Sequence, residues 1–263
     1  MENRPEIIMS DAAWAWEGLR RNPGYRRAWD CHVGDLPTIC DGRASLRYLR
    51  LDKPYLEAET FGLVAFADPD HCASEVPVIW LPNLLKRTLE VHLSVSGEPT
   101  AEGFSLDSLK CCPTVLDASD GQRHVRLGGH DFWIQMVSED LVELDDNTQI
   151  EVRLKGRECF RERIVSVEQL FSLHRAGDGN PTPAKRPPNR AKLMEGLLAY
   201  DVGGASGRRG SLKDIAIAIF GEERIDREWS SNRSLKNHAV RARDRGRAFV
   251  RDGYRDYLRK AAF

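Results

Sequence analysis

The reading of this chain turns on SLKDIAIAIFG (Ser211–Gly221) and the segment SSNRSLKNHAVRARDRGRAFVRDG (Ser230–Gly253) that follows it. In the first, Ser211 is placed to cap a helix, Asp214 three residues on favours the positive helix end, and Gly221 closes it. Leu212, Ile215, Ala216, Ile219 and Phe220 then form one apolar stripe, expected to be continuously buried. In the second, Leu235, Ala239, Ala242, Gly246 and Phe249 recur at steps of four, three, four and three. This is a narrow core-facing seam. The remaining faces carry Asn232, Arg233, Lys236, Asn237, Arg241, Arg243, Arg245 and Arg247. A basic helix with a thin seam of small residues lies close to its neighbours and leaves one long face open.

Upstream, NRAKLMEGLLAYDV offers Leu193, Leu197 and Tyr200 to a first helix, and the glycine-rich GGASGRRG separates it from Ser211. Downstream, GYRDYLRK supplies Tyr254, Tyr257 and Leu258 for a short closing helix. Helix, loop, capped helix, connection and basic helix make up the organisation of a helix-turn-helix domain, over residues 191–263. The connection to the basic helix is longer than the tightest form of that motif. On this reading the basic helix enters a major groove. Ser231, Asn232, Arg233, Lys236 and Asn237 are placed for base edges, arginine matching guanine and asparagine adenine. Arg241, Arg243, Arg245 and Arg247, with Arg208 and Arg209 of the glycine-rich loop, are placed for phosphates.

Ahead of this unit, AGDGNPTPAKRPPNR (Ala176–Arg190) is rich in proline and glycine, and residues 179–190 read as a linker. Residues 1–178 have mostly strand-like periods. Leu89, Val91, Leu93 and Val95 alternate, as do Phe132, Ile134 and Met136, and then Ile150, Val152 and Leu154. Asp120-Gly121 between two extended runs is a hairpin signal. Val167, Leu170, Phe171 and His174 change to helical spacing. The fold class expected is α+β: an antiparallel sheet with flanking helices, then an all-α domain.

Charge divides at the same place. From Lys185 to Phe263 there are 19 Lys and Arg against 10 Asp and Glu, whereas residues 1–184 hold 20 basic and 30 acidic residues. A basic tail on an acidic body points the tail towards a polyanion. The whole chain carries a net charge of −1, with 41% hydrophobic and 30% charged residues, and reads as soluble and globular. It has no run approaching the roughly 20 apolar residues needed to span a bilayer. MENRPEIIMSD has neither the basic nor the apolar region of a secretory signal, and six cysteines without CxxC spacing suit a reduced, cytoplasmic setting.

Enzyme signals are weak. GxGxxG, Walker A, GxSxG and HExxH patterns are absent, and GGASGRRG lacks the ending of a phosphate loop. Asp68-Pro69-Asp70-His71-Cys72 gathers acid, base and thiol types, but Asp-Pro is a turn former and adjacent ligands do not readily share one metal. No catalytic residue, cofactor or metal is expected.

The opening WAWEGLRRNPGYRRAWD (Trp14–Asp30) mixes aromatics with arginines. A short amphipathic helix up to Arg21, a break at Asn22-Pro23-Gly24 and a second segment from Tyr25 are expected. Its aromatics are read as anchors on the acidic body, with its arginines paired to carboxylates. This stretch resembles the opening of a proteobacterial family of transcriptional-regulator-like proteins, which carries a WxFLRRNPxY-type motif. FGLVAFADPDHCASEVPVIW is similar to that family's middle segment, and Ser211–Arg259 to its C-terminal domain of once-unknown function. There Asp214, Phe220, Gly221, Trp229, Arg241, Gly246, Gly253, Tyr254 and Arg255 match. Gly18, where the family usually has an aromatic residue, and Asp252, where a second glycine is usual, depart from it.

The resemblance implies a DNA-binding activator of genes on integrative and conjugative elements. Double-stranded DNA is the expected partner. RNA polymerase or another regulator, and a second copy of the chain as a homodimer, are further candidates; a membrane is not. The alternative is a protein-interaction module, an antiactivator that binds another regulator instead of DNA.

Overall fold

The computed structural model describes residues 9–33, 38–40, 47–95, 113–128, 132–142, 148–154, 157, 159–175, 190–204 and 210–259. Among these residues seven strands form one sheet: β1 (Thr38–Cys40), β2 (Arg47–Arg50), β3 (Leu89–Val95), β4 (Thr114–Asp117), β5 (Arg123–Gly128), β6 (Trp133–Ser138) and β7 (Thr148–Arg153). They lie in the order β1-β2-β4-β5-β6-β3-β7. The Asp120-Gly121 hairpin joins β4 and β5, with the Gln122 amide donating to Asp120 Oδ1 at 3.0 Å. The class is α+β, as expected. The sheet is mixed, however: β2 runs parallel to β4 and β3 parallel to β6, beside four antiparallel pairs. Alternation marks a strand but not its neighbour, and these two pairings join segments far apart in sequence.

Both sheet faces are covered, so β6 is buried at alternate and intervening positions alike. Ile134 and Met136 join Leu89, Val91, Leu93, Val125 and Leu127 on one face, beneath α4 (Phe160–Arg175). Trp133 and Leu116 join the other core. There Gln135 bonds both the amide and the carbonyl of Trp80, and the buried Arg126 donates to the carbonyls of Ala73 and Val76 while lying over the Trp133 ring. Of the helical positions expected at the end of the body, Leu170 is buried but Phe171 faces outward. The His174 side chain lies outside the described residues.

His124 sits on the Trp133 face, 2% exposed and without a partner for Nδ1 among the described residues. Burial pushes its pKa down to about 4, against a weaker upward pull from Asp120 and Asp117. The folded state therefore holds it neutral, whereas the unfolded chain protonates it near pH 6.5. Stability is expected to fall by about 3 kcal/mol as pH drops from 6.5 to 4. Urea unfolding of the His124→Gln variant across this window should show a correspondingly shallower dependence. An unchanged pH dependence would show that His124 is not held neutral.

The opening stretch folds as α1 (Asp11–Leu19) and α2 (Pro23–His32), and the short α3 (Leu56–Thr60) follows β2. Asn22 does more than break the chain: its Oδ1 accepts from the amides of Gly24 and Tyr25, capping α2, with Pro23 in the first helical position. The aromatics are anchors. Trp14, Trp16 and Tyr25 are fully buried, and the Tyr25 hydroxyl bonds the carbonyl and amide of Ala67. Yet α1 is not amphipathic, since every residue from Asp11 to Leu19 is buried.

The side expected to face water is covered by the end of the chain. Leu193, Leu197, Phe249, Val250, Tyr254 and Leu258 share one core with α1, α2 and residues 49–85. A Cβ on Gly18 would stand 2.6 Å from the Phe249 ring. Phe249 thus fills the space that a side chain on Gly18 would need. Polar contacts reinforce the junction: Arg21 bonds Glu17 and Asp201, Asn22 Nδ2 donates to the carbonyls of Val250 and Arg251, and the Tyr254 hydroxyl donates to the Phe61 carbonyl.

Arg20 pairs with Glu17 and Arg26 with Asp70. The Asp68–Cys72 loop is a turn in which the Asp70 amide bonds the Asp68 carboxylate and the Pro69 carbonyl accepts from Arg20. Among the described residues, no three His, Cys, Asp or Glu converge as a metal-binding group, and no helix is long and apolar enough to cross a membrane.

Candidate nucleic-acid interface

Among the described residues, five helices follow α4: α5 (Arg190–Gly204), α6 (Leu212–Phe220), α7 (Glu222–Glu228), α8 (Arg233–Ala248) and α9 (Tyr254–Arg259), with a π-helical turn at Phe249–Gly253 joining the last two. The Ser211–Asp214 capping box of α6 is present in both directions, and Gly221 ends the helix at a φ of 87°. Ile215 and Ala216 are buried, but Leu212, Ile219 and Phe220 are only half-buried, so the stripe is not continuous. The connection after Gly221 is itself a helix. In α7, Ile225 is the one apolar residue and is buried, while Glu222, Glu223 and Asp226 are exposed.

The α8 seam is as its spacing predicts: Leu235, Ala239, Ala242 and Gly246 are buried, and Phe249 continues it into the π-helical turn. Gly246 meets Gly196 of α5, where a Cβ would stand 2.7 Å from the Gly196 carbonyl carbon. Backbones at that separation leave no room for side chains. At 3.6 residues per turn, Arg233, Asn237, Arg241 and Arg247 fall opposite the seam, and all four are exposed. None of these three arginines has an ion-pair partner among the described residues. Asp244, on the same side, is held by Arg243 at 2.9 Å. Arg251 extends the face into the π-helical turn and is also exposed.

The candidate residues differ in how free they are. The Asn232 side chain caps α8, accepting from the amides of Ser234 and Leu235, and donates to Glu228. Such a cap stabilises a helix by about 1 kcal/mol, so Asn232 holds the helix start. Lys236 lies over the Trp229 ring, 5.6 Å from its centroid. Ser231 is exposed, its hydroxyl donating to the Glu228 carbonyl at 3.3 Å. Arg208 and Arg209 lie outside the described residues. Arg245 turns towards α5, where it and His238 share Glu195. Sequence reasoning passed over Arg251, although its spacing of four from Arg247 could have found it. It also missed Trp229 as the platform for Lys236.

Residues 146–259 match a family described as "T6SS, Transcription factor, DNA binding domain". The matched stretch takes in β7 and α4 as well as α5–α9. The match supports a DNA-binding regulator with DNA as its partner. No curated protein matches the chain.

Proposed function

We propose that this chain is a transcription activator of genes carried on integrative and conjugative elements, and not an enzyme. It holds duplex DNA through α8, with α7, the turn at residues 229–232 and α8 acting as a helix-turn-helix. The observation that carries this reading is the α8 face itself. Arg233, Asn237, Arg241 and Arg247 stand opposite the buried seam, and the arginines are free of internal ion pairs, within the stretch similar to a transcription factor DNA-binding domain. A stable body has no need of such a face, because each arginine there is solvated and contributes nothing to the core. A polyanion would satisfy it. Activation and the mobile-element setting rest on the resemblance of the opening, middle and closing motifs. The acidic part of the chain is then a contact for RNA polymerase or another regulator in the cytoplasm.

The test is chromatin immunoprecipitation paired with transcript profiling. Bound sites should lie at promoters whose transcripts rise with the protein, and both signals should vanish in the Arg233→Ala, Arg241→Ala double variant. Recovery of another regulator without DNA enrichment would establish the antiactivator reading instead.

A further inference from the structure

α4 rests on the sheet through Ser166, Gln169 and Leu170, yet a second stripe runs along it. Phe160, Ile164, Val167 and Phe171 recur at steps of four, three and four, the spacing of a helix-pairing seam. Its ends are open to solvent, Phe160 at 46% and Phe171 at 60% exposure, and between them Ile164 and Val167 are half-buried, Val167 with its inner side packed on the sheet core. Leaving two phenylalanines exposed on one helix face forgoes the burial of a large apolar area.

We propose that this stripe is a homodimer seam, pairing α4 antiparallel with α4 of a second copy of the chain. Charge selects both the occupant and the orientation. Arg161 and Glu168 flank the stripe on its solvent side, seven residues apart, and both are exposed without an ion-pair partner among the described residues. With a two-fold axis between Ile164 and Val167, Phe160 meets Phe171, Ile164 meets Val167, and each Arg161 faces the partner's Glu168. In a parallel pair the two copies of each flanking residue fall on opposite sides of the seam, so Arg161 does not meet Glu168. The surface is thus complementary to itself under a two-fold, as an isologous interface requires. A seam of this length is small, so the dimer is a weak one. On the DNA-binding reading above, it would present two copies of α8 to an inverted-repeat site.

The dimer is tested without DNA, so its failure is distinct from failure of that reading. Sedimentation equilibrium of the full chain across the micromolar range should show a monomer–dimer equilibrium. Phe171→Glu, at an exposed position, should raise the dissociation constant at least tenfold while leaving the far-UV circular dichroism unchanged. Arg161→Glu and Glu168→Arg should each weaken the dimer, and the two together should restore it. A chain monomeric throughout, as it would be if the residues after α4 covered the stripe, overturns the proposal. So does a dimer indifferent to Phe171→Glu, or a charge swap that fails to rescue.

Discussion

Gly246→Ala is expected to lower the stability of the chain by about 3 kcal/mol, measured by urea unfolding. Propensity alone predicts the opposite sign, since alanine is favoured over glycine inside a helix by roughly 1 kcal/mol. Packing decides the matter. The added Cβ would stand 2.7 Å from the Gly196 carbonyl carbon and 3.1 Å from Tyr200 Cβ. The first neighbour is backbone and cannot rotate away, so α5 and α8 must separate. That would loosen Leu193 and Leu197 on one side and Ala239 and Ala242 on the other, all buried. Gly204→Ala is the matched control: it is an exposed glycine at the end of α5, with nothing within 4 Å of its Cβ, and should be neutral or slightly stabilising. A Gly246→Ala chain as stable as the parent would mean that the two helices do not cross there.

Replacing Arg233 and Arg241 together by alanine should weaken binding to the preferred duplex on the order of a hundredfold, with unfolding unchanged. Stability is spared because both side chains are exposed and neither has an internal ion-pair partner among the described residues. The two singles should fail differently. Arg233 lies in the first turn of α8, where base edges are read, so its loss should cost about 1–3 kcal/mol at one base position and relax the preference there. Arg241 lies two turns further along, so its loss should weaken binding to all sequences alike and reduce the salt dependence by about one contact. Arg224, on α7 over the Phe220 ring, is the control whose replacement should leave binding intact.

The features legible in the sequence were those that one helix or one hairpin determines by itself. The Ser211–Asp214 cap, the Asp120-Gly121 turn, and the Leu235–Gly246 seam with its opposing arginines all depend on neighbours within a few turns. What was not legible depends on distant partners. Nothing near β2 or β3 names β4 or β6 as its parallel neighbour. EERIDRE carries a single apolar residue, so α7 reads as a connection until the site for Ile225 is present. Asn232 is read for a base contact, and only the position of the Ser234 and Leu235 amides reveals that it caps α8. The opening stretch is anchored on the acidic body, as its aromatics suggest, but the space beside Gly18 is also filled by Phe249 and Asn22 holds the carbonyls of Val250 and Arg251, contacts made across most of the chain length. α1 and α2 therefore brace the far end of the helix that carries the candidate interface.

The central claim, that the α8 arginine face binds duplex DNA, is tested most directly by fluorescence anisotropy of the full chain with a labelled duplex from the region upstream of its own gene, titrated over a range of salt. Log affinity should fall linearly with log salt, with a slope of about −0.9 for each phosphate held, and the slope should become shallower by about one when Arg241 or Arg247 is replaced. Absence of duplex binding at low salt, or a slope indifferent to those replacements, would contradict it.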